Sequence, residues 1–400
     1  MRDPIRAAGA YAVVTAVLAT AFAIGILGGP YRAVERSDYM TYQTAGRIVL
    51  QGHGACLYTL ACQERAQHEL IGDEPTFASG VLPFTSPPWL PAVASPLATL
   101  SLQPAFALFT LLSVLLLALA AWRLAWGRPG TRLVAVVLLV SAWPVTMAVI
   151  RGQATLAVAA LLGLSASASL AGGGASAAGA LAGLAVMKPT LVPLWLARLG
   201  VERRWRALLV AGLVVAALVL LAAVVVSPRA VADYPAYLLG LAGSTESPGI
   251  HVEEMINWRG ATLRLGASDL VTLVGTALTL GGVALAWWWA RSSSRAPALG
   301  AAVAFVATPL VIPHANQHEL ILASLGLLLA ITALSELRAQ LVAGVIVFHA
   351  LLWTGPLLSG EAAAWLIFIG LVAWLITLVG LCRREGRRYF SSVLVRAGTD

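Results

Sequence analysis

Lysine is nearly absent: Lys188 stands alone beside twenty-five arginines, and charged residues of both signs make up only 11% of the 400 positions. So few charges cannot solvate the surface of a large soluble protein, and 59% hydrophobic residues with a mean hydropathy of +0.85 place the chain among polytopic membrane proteins. There is no Walker loop, no Rossmann glycine pattern after a strand and no G-x-S-x-G elbow. A cytosolic nucleotide or nucleotide-sugar domain therefore has nowhere to fit, and an activated donor must arrive from within the membrane. Cysteine is scarce as well. Cys56 and Cys62 share the stretch HGACLYTLACQ and Cys382 is isolated. A C-x5-C spacing with scattered histidines is not a zinc pattern. In an oxidising compartment the pair is a candidate short-loop disulfide, two free thiols being the alternative.

What is present is apolar length. A span needs ~20 apolar residues to cross ~30 Å of hydrocarbon, and only helices satisfy the backbone there without partners from other segments. Twelve spans are predicted, at 8–29, 104–123, 133–150, 154–171, 175–188, 190–200, 207–226, 267–290, 297–313, 319–334, 340–357 and 362–382. The first is read as uncleaved rather than as a signal peptide, since its apolar run is long and lacks a clear small-residue cleavage site. An even number puts both termini on one side. With that side cytoplasmic, Arg123, Arg128, Arg132, Arg203, Arg204, Arg291, Arg338 and Arg383 all fall inside, and the net charge of +8 is explained without a nucleic-acid partner.

The segment SPPWLPAVASPLATLSLQP is apolar enough to tempt a further span. Pro87, Pro88, Pro91 and Pro96 interrupt it, so it is predicted as a juxtamembrane or re-entrant helix. Two long outer loops result, 30–103 and 227–266, and the acids Asp38, Glu64, Glu69, Asp73, Glu74, Asp233, Glu246, Glu253, Glu254 and Glu319 sort to that face. Long loops are disproportionately functional.

Asp38, in ERSDYMTYQTAG just beyond the first span, is either an acid stabilising the N-terminus of a helix over 38–52 or a general base facing a cavity; Ser37 is a possible N-cap. Lys188, in MKPTLVPLWLARL, snorkels to headgroups or meets a phosphate as a point charge. In VIRGQATL, Arg151 anchors a span end or forks onto a phosphate, and Gln153 can bond hydroxyls. TPLVIPHANQHELILA carries His314 and His318 four apart, a possible metal pair without a matching third ligand, so hydrogen bonding to substrate or phosphate is the preferred role. Tyr42, on the stripe of the 38–52 helix, and His251, Glu254 and Trp258 in the second long loop are acceptor-binding candidates, because aromatic and carboxylate groups together suit sugars.

In order and spacing, SDYMTYQTAGRIVLQG, PFTSPPWLPAVASPL, RGQATLAVAALLGLS, LAGLAVMKPTLVPLWLARLGVERRW and TPLVIPHANQHELILA resemble the C-type (GT-C) membrane glycosyltransferases, most closely glycosyltransferase family 87, over residues 35 to about 325. The resemblance implies a single all-α GT-C-like domain over residues 1–400, with about twelve transmembrane helices and juxtamembrane helices over 38–52 and 86–101. It also implies a polyprenyl-phosphate-hexose donor, mannose foremost, and a lipid-linked or cell-envelope glycan acceptor. Asp38 matches the acidic residue that deprotonates the acceptor. Lys188, Arg151, His314 and His318 become candidates for the donor phosphate, with Gln153 beside the sugar. Transfer would invert the anomeric centre on the outer face of a bacterial plasma membrane, with no cofactor required and a divalent ion left open. A lipid-linked-saccharide flippase or secondary transporter and a non-catalytic scaffold are the competing classes. Both are disfavoured, the first because nearly all charges sit at span ends rather than at mid-bilayer.

Overall fold

The computed structural model describes residues 4–29, 33–72, 81–172, 174–243 and 251–397, which leaves Asp73, Glu74 and Glu246 outside the described residues. Those residues are helical almost throughout and contain no strand. In chain order the α-helices are α1 (Pro4–Leu27), α2 (Asp38–Leu50), α3 (Leu60–Ile71), α4 (Trp89–Ala94), α5 (Leu102–Leu124), α6 (Pro129–Val140), α7 (Trp143–Ile150), α8 (Thr155–Leu170) and α9 (Ala175–Leu184). They continue with α10 (Pro193–Val201), α11 (Trp205–Val225), α12 (Pro228–Gly243), α13 (Trp258–Arg264), α14 (Asp269–Ala290), α15 (Ala296–Val311), α16 (Leu320–Ala333), α17 (Arg338–Leu352) and α18 (Gly360–Ala397).

Every predicted span falls on helix, but length divides them. Among the described residues six helices are long and apolar enough to cross a bilayer, or seven if α6 and α7, bent by 52° at their junction, form one broken span. The remaining apolar helices, α8, α9, α10, α15 and α16, are shorter. At ~1.5 Å per residue a fourteen-residue helix such as α16 reaches only about 21 Å, so twelve full crossings do not follow. The sequence explains the breaks: proline, glycine and polar residues stand at each one, in SAWP, RGQAT, MKPT and IPHANQ.

Burial sorts the helices further. Leu299 to Leu310 of α15 and Leu320 to Ile331 of α16 are buried without interruption, as expected of helices apolar all round. Around this centre α1, α5, α11, α14 and α18 turn Val13, Leu115, Leu213, Leu273 and Ile376 outward. Such a surface suits lipid and not water.

A second, smaller core lies beside the bundle. Tyr39, Met40, Ala45 and Ile48 of α2 pack on Phe84, Leu90, Leu102 and Phe106. Gly46 lets α2 approach the proline-rich segment, because a Cβ there would stand 2.7 Å from the Cβ of Ala98. That segment forms α4 and a 3-10 turn over Ser95–Thr99 before the chain enters α5. Trp89 and Ala92 of α4 also pack on Leu218 and Ala222 of α11 and Tyr234 of α12. The structure joins Cys56, in a 3-10 turn after α2, to Cys62 in the first turn of α3 by a disulfide. The 227–266 loop is itself mostly helical among the described residues, through α12 and α13.

Candidate active site

Interrupted backbone at bilayer depth must find partners inside the protein or line a cavity. Two breaks, α7/α8 and α9/α10, find theirs along the seam between the bundle and the α2–α4 cap, and the α15/α16 break finds its partners in the segment just ahead of α13. The Asp38 N–H donates to the carbonyl of Arg151 (2.8 Å), and the Trp89 indole donates to the carbonyl of Val186 (3.1 Å). Ile256 N–H donates to the carbonyl of Ala315 (2.8 Å), and the Asn257 amide donates to the carbonyl of Ile312 (2.6 Å).

Asp38 occupies the first position of α2, after Ser37 in extended conformation. The Ser37 hydroxyl bonds backward to the carbonyl of Val34 and does not cap the helix. Opposite, Gly152 turns the chain at a positive φ of 60°, and a Cβ there would stand 2.5 Å from the Tyr39 side chain. A glycine is therefore what lets the α7/α8 turn close on α2. The turn sends Gln153 inward, where its amide NH2 donates to Asp38 Oδ2.

From Gln153 a chain of bonds runs into the bundle. Lys188 Nζ donates to Gln153 Oε1 (3.4 Å), to Thr155 Oγ1 (2.8 Å) and to Glu319 Oε1 (2.5 Å). Glu319 is only 2% exposed, and it also meets His318 Nε2 at 2.9 Å and accepts from the Asn316 N–H at 2.7 Å. Burial raises the Asp38 pKa above the ordinary carboxylate value, against the opposing pull of His318, Arg151, Lys188 and the Gln153 hydrogen bond. The carboxyl is half-buried, and Gln153 is its one side-chain partner among the described residues.

Of the sequence candidates, the structure thus gathers Asp38, Gln153, Lys188 and His318. Arg151 adjoins them through its backbone, while its guanidinium pairs with Glu254 at 2.7 Å, the two side chains 31% and 25% exposed. Tyr42 lies one turn beyond Asp38, buried edge-on to Phe84 and Phe109. The other candidates are engaged elsewhere. His314 faces Arg259 at 3.0 Å, and the exposed His251 sits 3.2 Å from Glu253. Trp258 donates to Thr279 Oγ1 (2.8 Å) and stacks edge-on against Phe368, packing α13 on α14 and α18. Sequence reasoning placed Glu319 among the acids of the outer face and in the polar cluster of His314 and His318 but gave it no role, and it passed over Thr155. The available signal was a carboxylate immediately ahead of the apolar run LILASLGLLL, since an acid at the edge of hydrocarbon is costly and tends to be functional. Among the described residues no cluster of three or more His, Cys, Asp or Glu is arranged to hold a metal ion.

Comparison with protein families matches the model described as glycosyltransferase family 87 to residues 84–313, more than half of the chain. The matched stretch contains Arg151, Gln153, Lys188, His251, Glu254 and Trp258, whereas Asp38, His314, His318 and Glu319 lie outside it. No curated protein and no solved structure matches the chain.

Proposed function

The chain belongs to glycosyltransferase family 87 and is a membrane glycosyltransferase; from that premise we propose that it moves a hexose, mannose foremost, from a polyprenyl-phosphate donor to a hydroxyl of a lipid-linked or cell-envelope glycan acceptor. In this reading the site lies on the outer face of the bacterial plasma membrane and both termini are cytoplasmic.

The observation that carries the proposal is the company of Asp38: a half-buried carboxylate with raised pKa, anchored on one oxygen by Gln153, on the seam that also holds Arg151, Lys188 and His318. A base tuned toward the operating pH is what proton abstraction from a sugar hydroxyl requires. The acceptor oxygen attacks the anomeric carbon and gives its proton to Asp38. The bond from that carbon to the phosphate oxygen breaks with its electron pair, and the lipid phosphate departs from the opposite face. A single displacement inverts the anomeric centre and needs no covalent intermediate, so one carboxylate suffices. Negative charge grows on the departing phosphate. Arg151 is the cation offered to it, being more exposed than Lys188 and able to exchange its contact with Glu254 for a forked pair. His318 adds a second polar group at the same end.

The test is sugar transfer by the purified protein in lipid, from radiolabelled polyprenyl-phosphate mannose to extracted envelope lipids, with Asp38→Asn alongside. Label in a new product with the wild type alone is the expected result. Equal transfer by both removes Asp38 as base. No transfer from mannose, glucose, galactose or arabinose donors by folded protein overturns the donor class.

A further inference from the structure

An ammonium group has three hydrogens and no lone pair, and the three acceptors around Lys188, on Gln153, Thr155 and Glu319, use all of them. Lys188 is therefore saturated by its own chain. A donor-only group also dictates how its neighbour lies. Because the oxygen of the Gln153 amide must face Lys188, the amide NH2 must face the other way, and that way is Asp38 Oδ2. Rotated by half a turn, the same amide would set oxygen against carboxylate and NH2 against ammonium, repulsive at both ends. Glu319, almost wholly buried, holds Lys188 at the shortest of the three contacts and is itself fixed by the Asn316 N–H and by His318.

We propose that Lys188 and Glu319 are positioning residues that act on Asp38 through Gln153, locking its amide with NH2 toward the carboxylate. The inference rests on the reading of Asp38 as the base, and it moves Lys188 from the phosphate to the base side of the site. Three consequences follow from the geometry. The Asp38 carboxylate is held in one orientation with its second oxygen left for the acceptor. The charged form of Asp38 keeps a donor it would otherwise lose. The Lys188 and Glu319 charges offset each other, so the pair transmits orientation more than field.

The decisive measurement is the protonation midpoint of Asp38, followed by infrared difference spectroscopy of its carboxyl group in the reconstituted protein, with Asp38→Asn identifying the band. Gln153→Met removes the donor and is expected to raise the midpoint by about one to two pH units, the size of a lost hydrogen bond to a charged group. Lys188→Met/Glu319→Gln deletes the pair at no net change of charge, and it is expected to raise the midpoint in the same direction. Adding Gln153→Met to that pair is expected to give no more than Gln153→Met alone, because both act through one amide. An unmoved midpoint in the pair-deleted protein, with a raised KM for polyprenyl-phosphate mannose, overturns the proposal and returns Lys188 to the phosphate. Additive shifts overturn it too. If the pair-deleted protein does not fold, Lys188→Met with His318 left to face Glu319 takes its place in the same cycle. The readout needs no turnover: should Asp38→Asn transfer sugar as well as wild type, the base reading fails while the midpoints still answer whether the relay holds Asp38.

Discussion

Two charge networks occupy different regions of the molecule, and they share ingredients but not surroundings. Where α15 and α17 begin and α18 runs past them, Arg295 and Arg388 surround Glu336 and Glu385; Glu385 is buried, but Arg388 is 50%, Arg295 32% and Glu336 31% exposed. On the α2 seam a single lysine meets a single buried acid, and a neutral amide links them to Asp38. The first network is redundant, since either arginine reaches either acid. The second is a chain with no spare link. Redundancy tolerates the loss of one partner, whereas a chain without spares fixes one geometry.

The contrast is broken most severely at the end of the chain of bonds. Asp38→Asn is expected to lower kcat by about 10²- to 10⁴-fold, the ordinary contribution of general base catalysis, with the protein still folded. The measurement is single-turnover transfer in lipid beside a thermal unfolding trace. Next comes Lys188→Met, which leaves the Glu319 carboxylate buried without its cation. Breaking such a pair from one side costs about 3–5 kcal/mol, so a clear loss of unfolding free energy is expected. Lys188→Met/Glu319→Gln should recover most of it. A loss no larger than that of an exposed arginine would mean that burial does not separate the two networks.

A titration sharpens the same comparison. Burial raises the Asp38 pKa, with His318, Arg151, Lys188 and Gln153 opposing. A general base works deprotonated, so kcat/KM is expected to fall as pH falls through that raised value, at a pH above the ~3.9 of an ordinary aspartate. An acid limb at or below the ordinary value would place the working base elsewhere.

How much of this was legible in the sequence depends on the range of the contacts involved. Asp38 could be found because it breaks a local rule, an acid at the end of an apolar run. The proline-rich segment could be kept from crossing because proline acts on its own backbone. Helix existence was likewise local, and each of the twelve predicted segments is helix. Their extent was not, since the breaks between the shorter helices depend on partners from elsewhere, as where Asn257 donates to the carbonyl of Ile312. The contact of Glu319 with Lys188 was hidden for the same reason. Lys188 and Glu319 are 131 positions apart, and nothing near either one names the other. Trp258 shows the opposite hazard. Its type and loop fit a sugar platform, yet it packs α13 against Phe368.

The smallest effect belongs to the redundant network, at its half-exposed arginine, and it sets the scale for the others. Arg388→Met removes two contacts to Glu336 and Glu385, but Arg295 still reaches both acids at 2.5 and 3.1 Å. Exposed pairs contribute about 0–1 kcal/mol and are screened by salt. The expected loss of unfolding free energy is therefore below about 1 kcal/mol, shrinking further when the ionic strength is raised, with sugar transfer at the wild-type rate. Lys188→Met should keep its cost in the same salt series, because a partner 2% exposed is beyond the reach of mobile ions. If the costs of the two variants shrank in parallel as salt rose, the seam would be solvated as freely as the α15–α17–α18 network, and a carboxylate there could not hold a raised pKa.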